Sequence, residues 1–260
     1  MNQLVLSNGF IVKISQFPAN HGITTNKFGN CGFSKPRALN FKLFNCNIKL
    51  NSCGFLDPLE KKQNLRLMKL VNASCFFKIV PEHKDRIIEV KTTSRVLNYL
   101  KCDAIICRRP PKSQKPVLIS NTADCPIIFL SDKDKNFIAI IHSGWRGTVR
   151  NIVGQTVEKI KICFDAEVEN VQAGIWGGIC PYCYKVSNDL KKYFPNEIVN
   201  GHLNLRNIIT KQLLNSGILP KNIFLTNNFC SAHSLDTNDF LFASYRRDKN
   251  QKRNAAFITF

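Results

Sequence analysis

Apolar residues fall in short blocks divided by polar breaks, and two blocks dominate the middle of the chain. Ile-Ile-Phe-Leu at 127–130 and Phe-Ile-Ala-Ile-Ile at 137–141 flank the polar stretch 131–136. Their length and β-branched content predict two buried strands joined by a turn. Cys125 sits at the start of the first strand and His142 at the end of the second. In a hairpin those two ends lie side by side, so a thiol and an imidazole can share one site.

The same reading extends along the chain. Residues 10–14 form a short strand candidate. Asp57-Pro58-Leu59-Glu60 reads as a helix start, with Asp as cap, Pro at the first position and Glu at the third. Leu59, Leu67, Leu70 and Val71 supply that helix with an apolar stripe to about residue 72. Strands are expected at 76–80 and 86–90, around a turn holding Pro81-Glu82-His83, then a short helix at 94–101. Further strands are expected at 103–107 and 116–120. Val149, Ile152, Val153, Val157 and Ile160 recur at helical spacing to about residue 161. Then come a strand at 171–176, helices at 187–194 and 203–216, the latter closed by Gly217, and strands at 223–225, 240–243 and 255–260.

Strands and helices alternate irregularly, with several hairpins. The fold class expected is α+β: mixed β-sheets layered with covering helices. At 260 residues the chain is read as a single domain spanning 1–260. No apolar run approaches the roughly 20 residues of a membrane span, and the first twenty residues lack a signal-peptide core. A cytoplasmic protein that engages no membrane is the expectation.

Charge alters this picture less than its size suggests. The formal net charge is +19, from 37 Lys and Arg against 18 Asp and Glu, which favours anionic partners. The basic residues are spread along the chain without a dense run, and no nucleic-acid-binding motif stands out. They are read as a solvated surface, not a nucleic-acid face. Eleven cysteines form an odd number in a long chain, and Cys75, Cys102, Cys107 and Cys163 sit in apolar surroundings. Reduced structural thiols are expected.

Candidate chemistry gathers at the central hairpin. His83, Cys125 and His142 make a His₂Cys set, enough for zinc with one coordination position open. Zinc there would bring the pKa of bound water towards ~7. The same pair also permits Cys125 as a nucleophile with His142 as its base. Gly144 and Gly147 bracket Trp145-Arg146, a turn that lets backbone N–H groups approach an anion beside a cation. Arg246, in Ser244-Tyr-Arg-Arg247, is a second anion-binding candidate, with an ion pair to Asp248 as the plainer alternative. Cys180-Pro-Tyr-Cys183 has the dithiol spacing of glutaredoxins, but sits far from the chain start. A lone Cys-x-x-Cys also lacks a second pair for structural zinc.

Taken together, His21-Gly-Ile-Thr-Thr25, Ala38-Leu-Asn-Phe41, Asp103-Ala104, Ala123-Asp-Cys-Pro126, His142-Ser-Gly-Trp-Arg-Gly147, Tyr184-Lys-Val186, Cys230-Ser231 and Ser244-Tyr-Arg-Arg247 resemble the laccase-domain family. That family is also called multicopper polyphenol oxidoreductases and includes the bacterial YfiH-type proteins. The resemblance implies one α+β domain with a zinc site at His83, Cys125 and His142, copper being the lesser alternative. It further implies purine nucleoside phosphorolysis, with purine nucleosides and phosphate as partners, together with adenosine deamination. Arg146, Gly144 and Gly147, and more weakly Arg246, would then hold phosphate. Two alternatives stand beside it: a copper-linked phenol oxidoreductase and a non-catalytic nucleotide- or nucleic-acid-binding relative. The chain departs from the family pattern at Pro81-Glu82, at Trp176-Gly-Gly-Ile179, at Lys185 and at Asn64-Leu-Arg66.

Overall fold

The computed structural model describes residues 4–7, 11–14, 17, 19–25, 58–91, 97–176, 178–226, 230–233 and 241–260. Asp57, the 38–41 motif, Gly177 and Phe240 lie outside them. The strands in chain order are β1 (Leu4–Ser7), β2 (Ile11–Ile14), β3 (Asn20–Thr24), β4 (Cys75–Val80), β5 (Ile87–Val90), β6 (Leu97–Lys101), β7 (Ala104–Arg108) and β8 (Pro116–Thr122). They continue with β9 (Ile127–Asp132), β10 (Phe137–His142), β11 (Val171–Trp176), β12 (Ile198–Val199), β13 (His202–Leu203), β14 (Ile223–Leu225) and β15 (Asn254–Thr259). The helices are α1 (Pro58–Leu70), α2 (Trp145–Val149), α3 (Ile152–Phe164), α4 (Leu205–Asn215) and α5 (Tyr245–Asp248).

Two mixed sheets form the centre, one ordered β1-β2-β3-β15-β8-β4-β6 and the other β14-β11-β9-β10-β7-β5. The expected α+β class is observed. Period-two alternation sorts each strand between layers. Ile105, Ile138, Ile140 and Phe129 meet Phe77, Ile79, Leu118 and Ile258 between the sheets. The alternate residues Ile106, Ala139, Ile141 and Leu130 pack against Val153, Val157 and Ile160 of α3 and Ile209 and Leu213 of α4. On the outer face of the first sheet, Phe76, Val117, Ile119 and Phe257 meet Leu67 and Met68 of α1. The layers therefore run α1, sheet, sheet, α3 with α4. Cys75, Cys102 and Cys107 belong to the inter-sheet core, and all eight described cysteines are free. Among the described residues, no helix is long and apolar enough to cross a membrane.

Several elements differ from the sequence reading. The helix expected at 94–101 is, over its described part, strand β6. It pairs in parallel with β4, Phe76 opposite Leu97 and Ile79 opposite Leu100. Leu97 and Tyr99 face α1 while Leu100 faces the inter-sheet core, an alternation that tertiary pairing imposes on a locally ambiguous run. The helix expected through 149–161 is two helices, broken where Asn151 turns left-handed at φ 54° and accepts from the Gly154 amide to cap α3. The helix at 187–194 is a 3₁₀ turn over Asn188–Lys192, and residues 241–243 carry no strand. In α1, Met68 is buried while Leu70 is 47% exposed, so the apolar stripe excludes Leu70.

His21 serves the fold. Its Nε2 accepts the Ile14 amide at 2.9 Å, and Nδ1 lies 2.7 Å from the Ala19 carbonyl. Burial lowers its pKa from 6.5 to about 4. Because the unfolded chain binds the extra proton first, this stabilisation is complete above pH 6.5 and is lost as pH falls through 4. The expected loss is about 3 kcal/mol. Urea midpoints at pH 7 and pH 4.5 should differ less in His21→Gln than in the native chain. An equal difference in both would contradict this role.

Candidate active site

Three connections carry the chain from the first sheet to the second. β4 runs in parallel with both β6 and β8, so the three strands end at one edge. Each is followed by a strand of the other sheet: β4 by β5, β6 by β7 and β8 by β9. The expected turn after β4 is present, but its flanking strands belong to different sheets. His83 lies on the first connection, Asp103 on the second, and Asp124 and Cys125 on the third. β10 returns antiparallel to both β7 and β9, placing His142 opposite Ile127. The predicted hairpin is thus observed, and His83, Cys125 and His142 line one cleft of about 540 Å³.

Buried Asp103 fixes both histidine-bearing segments. Its Oδ1 accepts the His83 amide at 2.8 Å and its Oδ2 the Lys84 amide at 3.0 Å. Its backbone carbonyl accepts the His142 amide at 2.8 Å. These bonds hold His83 in a left-handed conformation at φ 57°. The rings of His83 and His142 stand 5.4 Å apart in a T-shaped arrangement. His142 is buried, its Nδ1 lies 3.4 Å from Ser120 Oγ, and its Nε2 has no hydrogen-bond partner. A buried imidazole nitrogen without a partner is what a metal or ligand would satisfy.

Electrostatics favour the ligand state of the imidazole. Burial, followed by the neighbouring His83, lowers the His142 pKa to about 3, so the ring is neutral. Burial and then the Asp124 carboxylate push the Cys125 thiol up to about 12. A thiol so raised beside an imidazole so lowered does not form the thiolate–imidazolium pair of a cysteine hydrolase. A bound dication stabilises the thiolate that burial disfavours, so a metal suits Cys125 better than an imidazole base does. One soft thiol and two imidazoles fit a divalent transition metal.

Gly144 and Gly147 owe their place to packing. A Cβ on Gly144 would lie 3.0 Å from Cys125 Sγ, and one on Gly147 would lie 3.3 Å from Ile152 Cγ2. Arg146 lines the cleft, its guanidinium 4.3 Å over the Trp145 ring. Arg246 does not line it. Its Nη1 donates to the Lys185 carbonyl at 2.7 Å, and its guanidinium covers the Tyr184 ring. Arg247 makes the ion pair with Asp248 and donates to the carbonyls of Ser231, Ala232 and Phe242.

Sequence reasoning missed three contributors. Asp124, at φ 95°, accepts from Ser231 Oγ at 2.6 Å, Ser244 Oγ at 2.7 Å and the Arg246 amide at 2.6 Å. It gathers the C-terminal motif onto the cleft. Arg253 also lines the cleft, held by the carbonyls of Asn250 and Lys252; nothing in its local sequence marks it. Asp103 had its signal in the Asp103-Ala104 motif, though not its role.

The profile of the family described as Multi-copper polyphenol oxidoreductase laccase matches residues 57–260. An adenosine deaminase, RL5, from an unknown prokaryotic organism is 34% identical over 110 residues, 42% of this chain and 38% of that protein. A purine nucleoside phosphorylase of Staphylococcus saprophyticus is 33% identical over 150 residues, 52% of this chain and 53% of that protein. The chain thus spans about half or less of the length of these relatives. In fold it is similar to YlmD from Geobacillus stearothermophilus, with a TM-score of 0.75 and 20% identity over 99% of this chain and 98% of that one. His83, Cys125 and His142 lie within the matched span, and the chain belongs to the multi-copper polyphenol oxidoreductase laccase family.

Proposed function

We propose that the protein is a zinc-dependent purine nucleoside phosphorylase that also deaminates adenosine. The observation that carries this reading is the shared cleft of His83, Cys125 and His142, with His142 Nε2 buried and unpartnered. It is supported by relatives named purine nucleoside phosphorylase and adenosine deaminase. His83, Cys125 and His142 would hold the metal, which supplies Lewis acidity and lowers the pKa of water for attack at the purine ring.

The remaining residues bind and orient. A cleft of about 540 Å³ suits a nucleoside, and Trp145, Tyr184 and Tyr245 offer it aromatic walls. Burial raises the Tyr184 pKa to about 12, so its hydroxyl stays protonated as a donor. Arg146 and Arg253 bring two guanidinium groups for phosphate. Gly144 and Gly147 shape the turn beside them, and Arg246 steadies Tyr184 from behind. In phosphorolysis a phosphate oxygen bonds C1′ of the ribose as the bond to the purine nitrogen breaks. The leaving purine then takes a proton. Cations beside the phosphate lower the cost of assembling this charged pair.

Asp103→Asn should weaken metal binding and turnover by about 10–100-fold with the fold retained, the usual effect of losing an outer partner. Wild-type metal affinity in that variant would argue against Asp103 as a positioning residue. The reading itself is tested by incubating adenosine with and without phosphate and separating the products by chromatography. Adenine that requires phosphate marks phosphorolysis, and inosine without phosphate marks deamination. Oxygen uptake with a phenol and no nucleoside turnover would overturn both.

A further inference from the structure

The turn Cys180-Pro-Tyr-Cys183 is not a glutaredoxin-like dithiol. Its residues 181–183 are themselves the turn and the next helical residue is Asn188, so no helix N-terminus lowers the first thiol. Nor does the pair lack a second half. The fold brings Cys230-Ser-Ala-His233 onto it from almost fifty residues away, and the ligand atoms of Cys180, Cys183, Cys230 and His233 all lie within 4.8 Å of one another. His83, Cys125 and His142 do not form so closed a group. We propose that Cys180, Cys183, Cys230 and His233 are a second metal centre, a closed structural site for zinc.

The local geometry has the character of such a site. A tetrahedral zinc with three sulfurs and one nitrogen separates its ligand atoms by about 3.5–3.8 Å. His233 Nδ1 stands 2.9 Å from Cys183 Sγ and 4.0 Å from Cys180 Sγ, one somewhat inside and one somewhat beyond that range, so small side-chain shifts would seat a metal. Cys230 Sγ accepts the amides of Cys180 at 3.2 Å and Ala232 at 3.4 Å, bonds that favour a thiolate. Three thiolates around one dication leave a net negative charge. Arg206 is buried beside the cluster and lines the same small cavity as Cys180, Cys230 and His233. Its guanidinium is fixed by the carbonyls of Thr226 and Gly178 at 3.2 and 2.9 Å.

The position suggests what the centre would do. Ile179 and Tyr184, immediately outside the Cys-x-x-Cys turn, are walls of the active-site cleft. Ser231, between two of the other ligands, donates to Asp124 and bonds the Gly178 carbonyl through its amide. Gly178 has φ 61°, and a Cβ there would meet the Asp124 carbonyl at 2.1 Å. One zinc would therefore tie two distant segments together behind the cleft. With four protein ligands it leaves no position open for substrate.

The test separates the two centres. The full-length His142→Ala protein, grown with zinc, should retain one zinc per chain. X-ray absorption at the zinc edge should give a first shell of three sulfurs at about 2.3 Å and one nitrogen at about 2.0 Å. Cys183→Ser should lose that equivalent. Cobalt substituted into a Cys125→Ser chain, whose cleft then offers no thiol, supplies a second readout, an intense thiolate-to-cobalt charge-transfer band from this centre alone. A shell without sulfur in His142→Ala, unchanged metal content in Cys183→Ser, no thiolate–cobalt band, or a Cys180–Cys183 disulfide found by mass spectrometry would each overturn the proposal. A loss of nucleoside turnover alone would bear on the cleft, not on this centre.

Discussion

His83→Ala should lower the proposed nucleoside turnover by more than ~100-fold and abolish metal binding in the cleft, while the protein should melt close to the wild-type temperature. Losing an outer partner of a metal ligand already costs about 10–100-fold, so losing a ligand costs more. Stability changes little because the His83 side chain is exposed and the bonds that hold its turn are made by backbone amides to Asp103. Alanine meets the same left-handed conformation at φ 57°, with a penalty of about 1 kcal/mol. Steady-state kinetics, metal content and thermal melting on one preparation check the three parts together. Normal turnover without His83 would show that the reacting centre lies elsewhere.

Lys78→Ala has the opposite signature, a large loss of stability by way of a residue remote in role from the chemistry. Lys78 lies on the α1-facing side of β4, on the same face as Phe76, and is fully buried. Its Nζ donates to Glu60 Oε1 at 2.6 Å and to Asn64 Oδ1 at 3.2 Å. Asn64 in turn donates to the Tyr99 hydroxyl at 3.2 Å. Both ion-pair side chains are 0% exposed. Deleting the ammonium leaves a carboxylate buried without its cation, which costs about 3–5 kcal/mol. For a chain of this size that lowers Tm by roughly 10 °C. The double change Lys78→Met with Glu60→Leu should recover most of it, because both desolvation penalties vanish together. A double variant as unstable as Lys78→Ala would show that packing shape, not charge, holds α1 to the sheet.

The legible parts of this molecule are those written in contiguous pattern. The hairpin at 127–142 announces itself through two β-branched blocks and a polar break, and its pairing follows. Hence Cys125 and His142 could be placed together from sequence. Strand β6 could not be recognised, because its identity comes from Phe76 and Ile79 across the sheet and not from its own residues. His83 was found through its turn, yet the element that fixes it, Asp103, acts through a carboxylate bound to amides twenty residues away. Arg253 reaches the cleft by the route of the chain alone. The Cys180 cluster makes the same point most sharply. Each half, Cys-x-x-Cys and Cys-x-x-His, is ordinary by itself, and only the fold shows that they meet.

The most direct test of the central claim is the fate of the ribose. Inosine and inorganic phosphate are incubated with the zinc-loaded protein and followed by phosphorus NMR. Ribose 1-phosphate should appear in step with hypoxanthine, and both should fall together in His142→Ala. Hypoxanthine released with free ribose, or no cleavage by protein that carries zinc in the cleft, would contradict the account.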